Sequence, residues 1–165
     1  MKLKINVAIA LYNPNLQYFK IQLKSILDQT LKPNKIIFVD DNSSNFQDVE
    51  NIIRNYLYRS DIEYKILKNN KNYGVNFTFR KAYSHFDNGI CFLSDQDDFW
   101  FENKIEDVVK IYAKNNQPLL IINNCQFYRN NKIDHTISKL EAIKRLTGSN
   151  KNFVAGCCTA VDKKI

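Results

Sequence analysis

Apolar positions along this chain fall into two alternating rhythms. Ile5 to Leu11 is a short, largely apolar and β-branched run ended by Asn13-Pro14, which predicts a buried strand and a turn. Leu16, Phe19, Leu23, Ile26 and Leu27 then recur three and four residues apart, predicting an amphipathic helix that stops near Lys32-Pro33. Lys35 to Val39 predicts a second strand, and Asp40-Asp41-Asn42-Ser43-Ser44 a loop rich in helix-capping residues. Phe46, Val49, Ile53, Tyr56 and Leu57 mark a second helix, and Tyr64 to Leu67 a third strand. After the polar stretch from Asn69 to Gly74, a third helix is predicted over roughly Phe77 to Phe86. A fourth strand covers Ile90 to Leu93, a helical stripe carries Ile105, Val108, Val109 and Tyr112, and a further strand runs from Leu119 to Ile122. Beyond Arg129 the pattern reads as a short helix from Lys139 to Leu146 and a strand from Phe153 to Val161 around Gly156.

Strand and helix alternate, so the expected fold class is α/β, with a mostly parallel central sheet and helices on both faces. In such folds ligands bind beyond the carboxyl ends of the strands. Three polar segments fall there: Tyr12-Asn13, Asp40 to Ser44, and Asp95 to Asp98. Loops are polar in general, but carboxylates at the same end of two separate strands favour a shared site.

Leu93-Ser94-Asp95-Gln96-Asp97-Asp98-Phe99-Trp100 carries the sharpest chemistry. A buried strand there runs straight into three acids that repel one another and resist burial. In an extended segment Asp95 and Asp97 project together and Asp98 projects away. Two converging carboxylates suit a hard divalent cation whose remaining positions go to water and to the phosphate oxygens of a substrate. The competing reading is a solvated acidic turn.

Composition narrows the classes. The chain has 165 residues, 44% hydrophobic and 25% charged, which is one globular domain's worth. Its formal net charge of +7 favours an anionic partner: nucleotide phosphates, an acidic membrane surface or nucleic acid. The lysines are spread rather than blocked, as on a solvated basic surface, and no nucleic-acid partner is expected. Cys91, Cys125, Cys157 and Cys158 lack metal-ligand spacing and fit a reducing cytoplasm, with Cys91 a small core hydrophobe. The amino-terminal apolar run is too short for a signal peptide, and no segment reaches bilayer-spanning length. Membrane association is therefore expected to be peripheral, at the inner face of the cytoplasmic membrane. His85 and His135 read as surface residues.

Taken in order, "AIALYN" at Ala8 to Asn13, "LKSILDQT" in the first helix, "FVDDNSS" at Phe38 to Ser44, "NKNYGVNF" at Asn70 to Phe77, "FLSDQDDFW" at Phe92 to Trp100, "NKIE" at Asn103 to Glu106 and "VAGCCTAV" at Val154 to Val161 resemble the family 2 glycosyltransferases of GT-A fold. Within them the chain looks most like bacterial rhamnosyltransferase-like enzymes of surface polysaccharide synthesis. Each piece is weakly specific, while their order and spacing are strongly so.

The resemblance implies a role for each matching position. Asp41 corresponds to the acid that accepts from the imide N–H of uracil or thymine, its competing role being a helix cap. Ala10, Tyr12 and Asn13 correspond to the strand end beneath the nucleoside; the family often has Thr or Ser where Ala10 stands, so one hydroxyl contact is missing. Asn72, Gly74 and Asn76 correspond to the loop beside the nucleotide. Asp95 and Asp97 correspond to the DxD motif, implying a Mn²⁺ or Mg²⁺ site that bridges the donor diphosphate. Trp100 is expected to pack the loop against the sheet rather than to stack on a sugar. The implied partners are a UDP- or dTDP-linked sugar and a saccharide or lipid-linked acceptor.

One departure stands out. The family's inverting enzymes place a general base well downstream of "GCC", and neither Glu141 nor Asp162 matches it. The chain is accordingly read as one incomplete GT-A domain, with a nucleotide-sugar half over 1–100 and the start of an acceptor half over 101–165. The alternative is a catalytically incomplete nucleotide-binding remnant of such an enzyme.

Overall fold

A computed structural model of the protein describes residues 3–86, 88–114, 120–129, 132–138 and 158–163. In chain order the elements are β1 (Ile5–Leu11), α1 (Leu16–Leu27), β2 (Lys35–Asp40), α2 (Phe46–Leu57), β3 (Glu63–Lys68), α3 (Val75–Ser84), β4 (Ile90–Ser94), α4 (Lys104–Ala113), β5 (Leu120–Ile122), β6 (Cys125–Arg129), β7 (Lys132–Ile137) and β8 (Thr159–Asp162). Six strands form one sheet in the order β3-β2-β1-β4-β8-β5, while β6 and β7 pair separately.

All seven residues of β1 are buried, because the strand sits inside the sheet with helices over both faces. Its alternation sorts the core. Ile5, Val7, Ile9 and Leu11 join Ile36, Phe38, Ile90 and Phe92 beneath the apolar stripes of α1, α2 and α4. Ala8 faces the other way, with Ile37, Val39 and Cys91, and that side is covered by Ala82 of α3 and by Phe86 just past its end. The continuous apolar runs of β1 and β2 thus follow from burial on both faces.

β1, β2, β3 and β4 are mutually parallel. The chain lays β2 and β3 on one side of β1 and β4 on the other, so the connection reverses direction between β1 and β4. That reversal opens a crevice at their carboxyl ends.

Three features were not legible in the apolar pattern. β8 enters antiparallel between β4 and β5, interrupting the parallel order. β6 and β7 form a hairpin with a bulge at Phe127/Tyr128, and Phe127 and Ile133 on it are exposed. Helix α3 begins at Val75, ahead of the expected Phe77, directly after the left-handed Gly74 that serves as its N-cap residue. The expected helix at Lys139–Leu146, and residues 153–157 of the last expected strand, lie outside the described residues.

Candidate functional site

β1 and β4 stay paired only as far as Ile9 opposite Ser94. β1 continues beside β2 to Leu11 opposite Asp40. Past Ile9 and Ser94 the two strands have no shared ladder, and the loops that follow β1, β2, β3 and β4 meet around the gap.

Side chains join these loops into one rim. After β1, Asn13 takes a left-handed φ of 44°, a conformation asparagine tolerates better than most residues. Its N–H donates to Ser43 Oγ at 2.9 Å, and its Oδ1 accepts from the Ser44 N–H at 2.8 Å. These bonds fasten the first loop to the second. On the other side, Gln96 Oε1 accepts from the Tyr12 N–H at 2.7 Å, and Gln96 Nε2 donates to the Tyr12 carbonyl at 3.1 Å. The first loop is thereby also fastened to the acidic one. Tyr12 keeps its ring outward, 48% exposed.

The adjacent carboxylates of the second loop divide the work by pointing to opposite faces. Asp40, fully buried, accepts from the Ser43 N–H at 2.9 Å and closes the turn. Asp41, only 3% exposed, reaches towards α3. It accepts from Asn69 Nδ2 at 2.7 Å, from the Tyr73 N–H at 3.0 Å and from the Gly74 N–H at 2.7 Å. Burial pushes its carboxyl group up, but the donors at Tyr73, Asn69, Gly74 and Thr78 outweigh that and hold it below the ordinary carboxylate value. Gly74 is the N-cap of α3 with φ of 88° and ψ of 162°, a backbone region almost closed to other residues. Asn72 Oδ1 accepts from the same Gly74 N–H at 3.0 Å, and Asn76 lies exposed on the first turn of the helix.

Strand β4 delivers the acids. Asp95 is half-buried, Asp97 exposed and Asp98 half-buried. The chain bends at 96–97, so strict alternation ends at Ser94 and the loop's shape rests on its hydrogen bonds. Chief among its supports is Gln22 of α1, fully buried, which donates to Ser94 Oγ at 2.7 Å and to the Asp95 carbonyl at 2.6 Å. One turn on, Ser25 Oγ accepts from the Trp100 N–H at 3.0 Å. Gln29 then donates to the Phe101 carbonyl at 2.7 Å and accepts from the Ile105 N–H at 3.0 Å. Trp100 is buried against Phe92, ring centroids 5.8 Å apart, and packs the loop as expected.

Among the described residues no cluster of three or more His, Cys, Asp or Glu is arranged to hold a metal alone. Asp95 and Asp97 nevertheless fit a cation that takes most of its ligands from phosphate and water, since such sites need only one or two carboxylates. Ala10 is buried beside Val39 and offers a methyl group where a hydroxyl would point. His85 ends α3, its Nδ1 2.8 Å from the Lys81 carbonyl, and Asp162 is buried at the far end of β4 opposite Ile90. Neither belongs to the rim. Glu141 lies outside the described residues.

The model of the glycosyl transferase family 2 matches residues 6–165. The chain belongs to family 2 of the glycosyltransferases. No curated protein matches it significantly. Among solved structures, a mannosyltransferase from Pyrobaculum calidifontis in complex with GDP-Man and Mn²⁺ is similar over 99% of this chain and 46% of its own, with TM-score 0.70 and 15% identity. Residues 1–349 of S. aureus TarS, in complex with UDP-GlcNAc, are similar over 73% of this chain and 34% of their own, with TM-score 0.60 and 21% identity. The chain therefore spans about a third to a half of these neighbours' length, and its mixed six-stranded sheet is that of the GT-A glycosyltransferases.

The polar loops at the strand ends stand out in the sequence, whereas the side chains that tie them together do not. Gln22 and Ser25 lie on the buried side of α1, and Gln29 follows just past its end, buried polar residues three and four apart within an apolar stripe. That misplacement of polar groups was the available signal.

Proposed function

We propose that this chain carries the donor side of a family 2 glycosyltransferase, which moves a sugar from a UDP- or dTDP-linked donor to a saccharide or lipid-linked acceptor in surface polysaccharide synthesis, with inversion. The observation that carries this reading is the rim at the β1/β4 crevice, where the loop bearing Asp95 and Asp97 is tied to the loop at Tyr12 and Asn13, and Asp41 holds the loop that leads into α3. The neighbours bound to UDP-GlcNAc and to GDP-Man with Mn²⁺ support the substrate class. Residues 1–100 form the nucleotide-sugar half in this reading, and 101–165 begin the acceptor half.

The nucleoside lies along the loop at Tyr12 and Asn13, and the loop at Asn72, Gly74 and Asn76 walls it. Asp41 serves base recognition chiefly by holding that wall, since its oxygens already accept from three groups of the wall. Asp95 and Asp97 are the residues that would hold a Mn²⁺ or Mg²⁺ ion. When bound, such an ion offsets the negative charge that grows on the departing nucleoside diphosphate. In the transfer itself the oxygen of an acceptor hydroxyl bonds to the anomeric carbon as its proton passes to a base, while the bond from that carbon to the diphosphate oxygen breaks and the electron pair leaves with the nucleoside diphosphate. The loop's ties to Gln22 and Gln96 keep the carboxylates from shifting as that charge moves.

No helix among the described residues is long and apolar enough to cross a membrane. We place the protein in the cytoplasm with peripheral contact to the membrane that carries its acceptor. The deciding experiment is calorimetric titration with UDP, dTDP, GDP and CDP, each with Mn²⁺ and with EDTA. Metal-dependent binding of a pyrimidine diphosphate is expected. Absence of binding by every nucleotide overturns the reading.

A further inference from the structure

Gln96 stands between the two carboxylates in sequence, yet its amide is turned onto the backbone of Tyr12. Both ends of the amide are used: Oε1 receives the Tyr12 N–H at 2.7 Å, and Nε2 reaches the Tyr12 carbonyl at 3.1 Å. The bond spans 84 residues of sequence. It lies just past the point where β1 and β4 cease to pair, so one side chain does what two ladder hydrogen bonds would do in a longer sheet. From the opposite direction Gln22 grips the Asp95 carbonyl at 2.6 Å. The acidic loop is thus fixed at Asp95 to the helix layer and at Gln96 to the loop carrying Tyr12 and Asn13.

We propose that Gln96 is a positioning residue that couples the diphosphate end of the donor site to its nucleoside end. It sets the spacing between Asp97 and the strand end at Tyr12, so that one nucleoside diphosphate engages both at once. The inference rests on the donor-site reading above and deepens it. Without the clamp each loop still forms, because Gln22, Ser43 and Asn13 hold their own ends. What is lost is the agreement between the two, and with it the advantage of binding the base and the metal-bridged phosphates in one geometry.

The test compares wild type with Gln96→Ala and Gln96→Met, the second keeping the side-chain length without the amide. UDP affinity is measured in Mn²⁺ and in EDTA, and exchange of the Tyr12 amide hydrogen is followed by NMR. Both variants should retain the wild-type thermal midpoint within a few degrees, exchange the Tyr12 amide faster, and show a Mn²⁺-dependent gain in affinity about tenfold smaller than wild type. If wild type shows no Mn²⁺-dependent binding, the donor-site reading falls and this proposal with it. If wild type shows it and the variants keep the same gain, the proposal alone is overturned, even where Tyr12 exchange quickens, because the clamp is then structural only. Should Gln96→Ala fail to fold, Gln96→Met decides.

Discussion

Replacing Asp41 with asparagine separates the forces that hold the nucleotide-side loop. The substitution keeps one acceptor oxygen and turns the other into an NH₂ group facing donors. In the native protein those donors are Asn69 Nδ2, the Tyr73 N–H and the Gly74 N–H. Hydrogen bonds to a charged acceptor contribute about 1.5–3 kcal/mol each, and a buried donor left unmatched costs about 1–3 kcal/mol. Asn69 is buried, so its amide has little access to water, whereas Tyr73 is exposed enough for its N–H to be rehydrated. The three are not additive, and a net loss of about 3 kcal/mol is expected. For a domain of this size that lowers the thermal midpoint by about 6–12 °C. The pH dependence adds a second signature. Asp41 has a folded-state value below the ordinary one, so as pH falls the unfolded chain takes up its proton first. Its contribution is therefore full above the ordinary carboxylate value of 3.8 and is lost as pH drops through the lower folded value. Urea unfolding followed by circular dichroism at pH 7 and across pH 5 to 3 should show a steep acid loss in wild type and a shallower one in Asp41→Asn. An unchanged midpoint and an unchanged acid limb would refute this account, and a selective loss of UDP affinity beside them would make Asp41 a reader of the base instead.

Other consequences are equally open to measurement. Asp97→Asn should abolish the Mn²⁺-dependent part of UDP binding seen by calorimetry, while the affinity in EDTA stays as in wild type; an intact metal response would remove Asp97 from the site. Gly74→Ala should cost about 1–3 kcal/mol in urea unfolding through backbone strain alone, since nothing lies within 4 Å of where its Cβ would sit. Gln29→Leu, close in size, should destabilise by about 2–3 kcal/mol by stripping the Ile105 N–H and the Phe101 carbonyl of their buried partner; a loss under half a kcal/mol would mean that water replaces it. Burial pushes the Cys91 thiol up to about 12, so iodoacetamide at pH 8 should spare it in the native protein and modify it in urea, as read by mass spectrometry.

What could be read from the chain followed from what repeats along it. β1, β2 and the stripes of α1 and α2 bury whole faces, and burial writes a period into the sequence. The carboxyl-end loops were legible as well, because the apolar runs of β2 and β4 break abruptly into carboxylates there. β8 was harder. It is four residues long and ends on Asp162, whose buried carboxylate is matched by the Tyr112 hydroxyl at 2.7 Å from a helix far away in sequence. A charge at a strand end hides a core position when its partner is distant. Asp40 and Asp41 carried the same letter, and only the alternation of the strand end decides that one closes its own turn and the other reaches across to α3. Gln96 was invisible for a related reason: its partner is a peptide unit, and a backbone group has no side-chain identity to find.

The antiparallel β8 also sets an order of events during synthesis. β1 to β4 leave the ribosome with everything needed for their parallel pairing, but the outer edge of β4 stays unpaired until Ala160, Val161 and Asp162 arrive to meet Phe92, Cys91 and Ile90. At about 5–20 residues per second that interval lasts several seconds. Throughout it the strand that bears the acidic loop is the exposed rim of a nascent sheet, where another chain can add on. Slowing translation across the stretch between Ser94 and Thr159 should therefore lower the soluble yield, and speeding it should raise it, although neither change alters the finished molecule.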